Sequence, residues 1–372
     1  MASYTKRGKT WQYTVSRYVD GKYDPIRKSG FLTKKEAQVA AMAVEMHIQK
    51  GGNVLTRDKA FTEYFESWID KYKATKHANT YRRYQDSLRR AKEYFKDKPI
   101  QKISSEEYQT FLDDYAKVRS KESVRKLNIH IRACVKDAID EGYVANDFTR
   151  KAQIGGTVPA KKASEKHIGY ADSKKLYNYL LKNAQTTSHH LILLGLVSGL
   201  RFGELVGLTK DAINFDTNQI YIYQAWDYRN GRGFTDLKNT SSERTIPIEK
   251  RVLSKLEKFI EETGVDQNNG LVFHSDGYLK VVSNNAANKS LKNILKKLGI
   301  QEITCHGLRH THASVLLYEG IDIQYVSERL GHDTIQTTLQ TYAHVLRELR
   351  TREEQKALSV YERMLEVDNE DV

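Results

Sequence analysis

From Phe61 to Phe148 the apolar residues recur at intervals of three and four. A bundle of about four helices is the natural way to bury such a pattern. Phe61, Tyr64, Phe65, Trp68, Ile69 and Tyr72 mark the first helix, and Tyr81, Tyr84, Leu88 and Phe95 the second. Ser104-Ser105-Glu106-Glu107 caps a third, which carries Tyr108, Phe111, Leu112 and Tyr115. Val124, Leu127, Ile131, Cys134, Val135 and Ile139 line the fourth. The outer side of the second helix presents Arg82, Arg83, Arg89, Arg90 and Lys92. A solvated surface can carry such residues. In a chain of net charge +13 and pI near 9.3 a phosphate-contacting face is the preferred reading.

The first fifty residues follow a different rule. They hold ten Lys and Arg against four Asp and Glu. Trp11, Tyr13 and Val15 alternate with polar residues, the period of a half-buried strand. Asp20-Gly21 suits a tight hairpin turn, and a second strand runs from Lys22 to Ser29, weakened at Pro25. Residues Ser3 to Lys6 supply a third strand. Thr33 and Glu36 form a capping box for a helix whose inner face is Ala37, Ala40, Ala41, Val44 and Ile48. The open sheet face is expected to carry some of Lys9, Arg17, Arg27 and Lys28. Gly51-Gly52-Asn53 ends the helix and begins a linker.

Residues 151–165 contain two adjacent glycines and Pro159 and read as a second linker. Beyond them helices are expected near 172–184, 187–198, 201–208, 250–263 and 286–298, with more after His306. Strands are expected at Ile220–Tyr223 and Thr245–Ile248. The expected fold is multidomain and mostly α with small β-sheets. It comprises an N-terminal three-stranded sheet plus helix (1–55), a helical bundle (59–150), the linker, and a mixed α+β domain with a helical tail (166–372). The longest apolar run, Leu191 to Val197, is far short of the roughly 20 residues of a membrane span. With only Cys134 and Cys305 there is no disulfide framework, and a cytoplasmic protein is the simplest expectation. In the tail, Ala357, Leu358, Tyr361, Met364 and Leu365 form an apolar stripe. It can fold back on its own domain or dock onto a neighbouring subunit, and both readings stay open.

Several chemistries lack their residues. No glycine-rich loop ends in Lys-Ser/Thr, no paired-cysteine zinc spacing occurs, and no Asp-x-Asp cluster suggests two metals. His306 and His310 are four apart, but Gly307 stands where a zinc protease needs glutamate. No metal or other cofactor is therefore expected. What does recur is basic residues beside apolar helices. Arg201 follows the most apolar stretch in the chain, where an unpaired charge is costly, so it needs Glu204 or a bound anion. Lys238 lies in a turn between the strand candidates. His306 and Arg309 share a helix face, His332 closes the next helix, and Tyr342 follows ten residues later. Singly each is weak. Together they suit a metal-free phosphodiester transfer: arginines hold the non-bridging oxygens, lysine and histidine move protons, and tyrosine attacks.

The succession Gly-Leu-Arg201-x-Gly-Glu, turn Lys238, His306-x-Leu-Arg309-His, Leu-Gly-His332 and Tyr342 resembles the tyrosine recombinases, or phage integrases. All six active-site positions of the family pattern are filled in order. The resemblance extends to the helical stretch as a core-binding domain. It extends also to residues 1–55 as the arm-type DNA-binding domain of integrases from temperate phages and conjugative transposons of Gram-positive bacteria. It implies that Tyr342 attacks the scissile phosphate to form a 3′-phosphotyrosyl link, Arg201 and Arg309 stabilise the phosphate charge, and Lys238 protonates the leaving 5′-oxygen. His306 then assists proton transfer with the tyrosine, His332 binds a phosphate oxygen, and Glu204 orients Arg201. It implies double-stranded DNA partners at core and arm sites, a tetramer on DNA, an excisionase, a host DNA-bending protein, and no membrane. A type IB topoisomerase shares the chemistry but has no need of a second DNA-reading module. A DNA-binding regulator with a decayed site fits poorly with six intact positions.

Overall fold

Alternation in the first strands builds a three-stranded antiparallel sheet. In chain order the elements are β1 (Ala2–Arg7), β2 (Thr10–Val15), β3 (Tyr18–Val19), β4 (Lys22–Tyr23) and β5 (Ile26–Phe31), followed by α1 (Lys34–Gln49). The sheet order is β1-β2-β5, and Tyr13, Val15 and Ile26 pack under Ala41 of α1. The single strand expected over Lys22–Ser29 is divided: β4 pairs with β3, and β5 pairs with β2. Pro25, which has no N–H to give a ladder, stands at the break. Arg17 spans that break, donating from Nε to the Asp24 carbonyl at 2.9 Å and from Nη2 to its carboxylate. In the β2–β5 register Thr14 faces Arg27 and Tyr13 faces Lys28. Paired residues share a sheet face. Arg27 therefore lies on the open face and Lys28 on the side of α1, while Lys9 sits in the β1–β2 turn. At the head of α1 the Glu36 N–H donates to Thr33 Oγ1 at 3.2 Å. The Glu36 carboxylate accepts from the Leu32 N–H at 3.0 Å.

The computed structural model describes residues 2–19, 22–49, 59–76, 78–160, 165–231, 233–237, 239–348, 354–355 and 357–360. Asp20-Gly21 and Gly51-Gly52-Asn53 lie outside them, as do Tyr361, Met364 and Leu365 of the apolar stripe, whereas Leu358 is exposed. The chain divides into two compact units, residues 1–160 and 161–372. No helix of the described residues is long and apolar enough to cross a membrane.

The helical stretch forms α2 (Phe61–Lys73), α3 (Ala78–Phe95), α4 (Ser105–Ala116) and α5 (Lys121–Asp140) around one aromatic-rich core. Ser104 accepts from the Glu107 N–H as α4 begins. Arg82, Arg83 and Arg89 of α3 are exposed. Arg89 and Arg90 are paired with Asp86 and Glu93 on their own helix at 3.1 and 2.8 Å. Surface pairs of this kind contribute little and release readily. Arg83, Arg89, Arg90, Arg119 and Lys126 line one basic cleft between α3 and α5. The linker expected from residue 151 is held to this bundle as far as Val158. Ala152 and Ile154 pack on the core, and the Thr157 and Val158 amides donate to Ala116 and Arg119 carbonyls at 3.1 and 3.2 Å. Gly156 is there for packing rather than slack, since a Cβ on it would lie 2.2 Å from the Lys121 nitrogen.

The second unit begins with α6 (Tyr170–Asn183), α7 (Thr187–Ser198) and α8 (Phe202–Val206). A strand-rich insert follows, with β6 (Ile213–Asn214), β7 (Gln219–Ile222), β8 (Ala225–Trp226), β9 (Phe234–Thr235) and β10 (Arg244–Pro247). The chain then runs through α9 (Lys250–Thr263), α10 (Asn284–Leu298), α11 (Cys305–Tyr318), α12 (Ile323–Leu330) and α13 (Ile335–Glu348). Helix α7 is apolar all round because it packs on α6, α8, α9, α10 and α11. β7 pairs with β10 on one side and β6 on the other, while β8 and β9 form a separate hairpin. The sequence pattern missed β6, β8 and β9, whose two residues each are too short to show a period. A satellite cluster of Ala313, Leu317, Val326, Leu330 and Tyr342 joins α11, α12 and α13.

Candidate active site

The site is built around the end of α7. Gly199 caps that helix with φ +68°, a left-handed conformation natural to glycine, and a Cβ there would lie 2.6 Å from His312. The tight turn places Arg201 at the N-cap of α8. Arg201 Nη1 donates to Glu204 at 2.6 Å and to Ser242 Oγ at 3.2 Å, and Nη2 donates to the Gly331 carbonyl at 2.7 Å. Glu204 is buried, and its second oxygen accepts from Arg244 Nη2 at 3.0 Å. Burial alone raises a carboxyl pKa, but Arg244 and Arg201 together outweigh it and hold Glu204 below the usual range. Arg244 also donates to the carbonyls of Arg329 and Ser242 at 2.7 and 2.6 Å. One carboxylate thus fixes two guanidiniums and, through them, the β10 and α12 segments.

Arg309 is only 4 % exposed. Its Nη1 donates to the Gly199 carbonyl at 2.9 Å, while its buried Nη2 has no hydrogen-bond partner among the described residues. Burial, and then the charge of Arg201, push its pKa down to about 9. An orphaned buried cationic donor is expensive to keep. It fits a site that awaits an anion.

Tyr342 on α13 is 2 % exposed, and its hydroxyl lies 3.1 Å from His310 Nδ1. Burial pushes its pKa up to about 12 against the opposing pull of Arg309. His306 is exposed, and its ring meets that of His310 edge-on with centroids 4.8 Å apart. His332 is half-buried, with Nδ1 2.7 Å from Thr338 Oγ1. Burial and then Arg309 and Arg201 lower its pKa to about 4. His306, although exposed by surface area, has enough protein packed around its ring that desolvation, followed by Arg309 and Arg201, lowers its pKa as well. Arg201, His306, Arg309, His332 and Tyr342 therefore share one electrostatic site. Lys238 lies outside the described residues. Its neighbour Asn239 donates to Asp333, as does Ser241, so the segment after the lysine is tied to the residue after His332.

Sequence reasoning missed Arg244, Ser242 and Thr338, and noted His310 only as part of a motif. The four-residue spacing from His306 was the available signal for His310, but it was weighed only for metal binding. His312 was missed too. It is fully enclosed, accepting from Arg329 Nε at 3.0 Å while its Nδ1 meets the Leu196 carbonyl at 3.1 Å. Burial and then Arg329 lower its pKa to about 3.

These histidines make a pH prediction. Each is neutral in the fold, with a pKa below its ordinary 6.5. The unfolded chain binds more protons throughout the gap, so stability falls as pH drops from about 6.5 toward 4. Thermal unfolding of the intact protein should show a midpoint that declines over this window, by about 2–4 °C for each kcal/mol lost. A flat midpoint would mean the imidazoles are already solvated in the fold.

Residues 169–348 match the phage integrase family, residues 60–115 the SAM-like N-terminal domain of phage integrases, and residues 2–47 an arm DNA-binding domain. The chain is a tyrosine recombinase of the phage integrase family. This recombinase is 27 % identical to a XerC-like tyrosine recombinase of Caldanaerobacter subterraneus subsp. tengcongensis, covering 94 % of this chain and 96 % of that one. It is 26 % identical to the prophage ps2 probable integrase of Lactococcus lactis, covering 90 % and 94 %. The Tn1549 transposon integrase, solved in complex with transposon right end DNA, shares the fold. The TM-score is 0.66 at 18 % identity, over 80 % of this recombinase and 99 % of that chain. A lambda integrase dimer bound to a core site also shares it, with TM-score 0.59 at 15 % identity over 89 % and 91 %.

Proposed function

We propose that this recombinase integrates and excises a mobile element, a prophage or an integrative conjugative element, by cutting and rejoining double-stranded DNA through Tyr342. The observation that carries the reading is the buried Arg309 Nη2, which has no hydrogen-bond partner among the described residues and lies in the field of Arg201 and Tyr342. A scissile phosphate is the anion such a donor fits. Arg201 and Arg309 hold its non-bridging oxygens and stabilise the charge that grows on them. His332 donates to a phosphate oxygen, and His306 completes the basic rim. Tyr342 attacks, a 3′-phosphotyrosyl link forms, and Lys238 protonates the departing 5′-oxygen. The covalent link keeps the bond energy for rejoining, so no cofactor is required.

Residues 59–150 serve as the core-binding domain, with the basic cleft of α3 and α5 toward the DNA backbone, and residues 166–372 as the catalytic domain. Residues 1–55 read arm sites, and the match over residues 2–47 supports this. Strand exchange joins two duplexes, each cut on two strands, so four subunits act together. An excisionase and a host DNA-bending protein set the direction, in the cytoplasm of a bacterial host.

A nicked duplex that loses its 5′-fragment on cleavage traps the intermediate. The expected result is a covalent adduct whose labelled peptide contains Tyr342. Recombination between two attachment-type duplexes should follow on intact DNA. Relaxation of supercoils without recombination would favour a topoisomerase, and no adduct on any duplex would leave only a DNA-binding regulator.

A further inference from the structure

We infer that His310, rather than His306, exchanges the proton with the Tyr342 hydroxyl; this rests on the assignment of Tyr342 as nucleophile. Among the described residues His310 is the one hydrogen-bond partner of that hydroxyl, at 3.1 Å from Nδ1. His306 makes no hydrogen bond to that hydroxyl among the described residues, and its ring meets the His310 ring edge-on. The Tyr342 ring belongs to a cluster with Ala313, Leu317, Val326 and Leu330, none of which offers a base. Helix α11 therefore delivers two adjacent residues to different tasks, Arg309 to the phosphate and His310 to the nucleophile.

The step balances. As Tyr342 Oη forms its bond to phosphorus, its proton passes to His310 Nδ1. The bond from phosphorus to the 5′-oxygen breaks, and that oxygen takes a proton from Lys238. Rejoining runs the transfers in reverse.

The surroundings make this base responsive to DNA. Burial lowers its pKa to about 4, followed by the charges of His306, Arg309, Lys166 and His167. His310 is therefore neutral and ready to accept, but weakly basic. A phosphodiester seated on Arg201 and Arg309 brings negative charge into this cationic field and raises the basicity of His310. The tyrosine is then activated chiefly where a phosphate is in place.

Single-turnover adduct formation on the nicked duplex tests the assignment, using His310→Ala and His310→Gln in the full chain. Glutamine can still hydrogen-bond the hydroxyl but cannot carry the proton. Both variants should bind core DNA normally and form adduct more slowly by roughly 10²- to 10⁴-fold. Added imidazole should restore part of the His310→Ala rate and none of the Tyr342→Phe rate. A near-normal or faster rate in His310→Gln overturns the inference, as does the larger loss falling on His306→Ala. Should His310→Ala not fold, the glutamine variant alone decides. Adducts formed by Tyr342→Phe would instead overturn the assignment of the nucleophile beneath it.

Discussion

Phenylalanine at position 342 should leave a folded, DNA-binding protein that forms no covalent adduct. The ring of Tyr342 packs against Ala313, Leu317, Val326 and Leu330, and all of that contact survives the substitution. Only the hydroxyl goes, with its hydrogen bond to His310. One such bond contributes about 1 kcal/mol, so the thermal midpoint should move by only a few degrees. The loss of chemistry is of another order, since removing a covalent nucleophile elsewhere costs on the order of 10⁶ in rate. Gel-shift titration, calorimetry and adduct assays on one preparation separate the two effects. Persistent adduct would move the nucleophile elsewhere, with Tyr361 the next residue to examine. A collapse of the midpoint would show instead that the hydroxyl was needed for packing.

The fold was legible where a period was long enough to repeat. The four helices from Phe61 to Asp140 and the apolar α7 are written in spacings that a packed core requires. The same holds for Arg201 and Glu204, because a charge beside an apolar helix needs a nearby partner. Arg244 was not legible. Its partner is forty residues away, and nothing in its own neighbourhood signals that Glu204 will hold two guanidiniums. The choice between His306 and His310 was hidden for a related reason. Both lie on one helix beside Arg309, and only the arrival of α13 decides which of them meets the tyrosine. Gly156 looked like linker slack because glycine's use in close packing leaves no local mark. Family resemblance named the positions of the site, while the hydrogen bonds that hold them required three dimensions.

Methionine in place of Arg309 should disable the recombinase without weakening the fold. The loss at the transition state should be about 3–4 kcal/mol, or 10²- to 10³-fold in adduct formation, as for other lost oxyanion donors. Stability should move the other way. Among the described residues the buried cation has one bond, to the Gly199 carbonyl, and an orphaned Nη2. Replacing poorly satisfied buried charge with an apolar side chain is often neutral or stabilising by roughly 1–4 kcal/mol. Glu204 is the contrasting case: its loss would strand both Arg201 and Arg244, and breaking such a set typically costs about 3–5 kcal/mol. The pH dependence has a definite sign. Because burial and Arg201 lower the Arg309 pKa to about 9, the penalty is fully present below that value. It is relieved as pH rises above about 9. Bound phosphate should relieve it too. Core DNA should therefore raise the midpoint of the unaltered protein more than that of Arg309→Met, compared at saturating DNA. A methionine variant that melts several degrees lower, and gains as much from DNA as the parent, would make Arg309 a structural residue rather than the phosphate's binding partner.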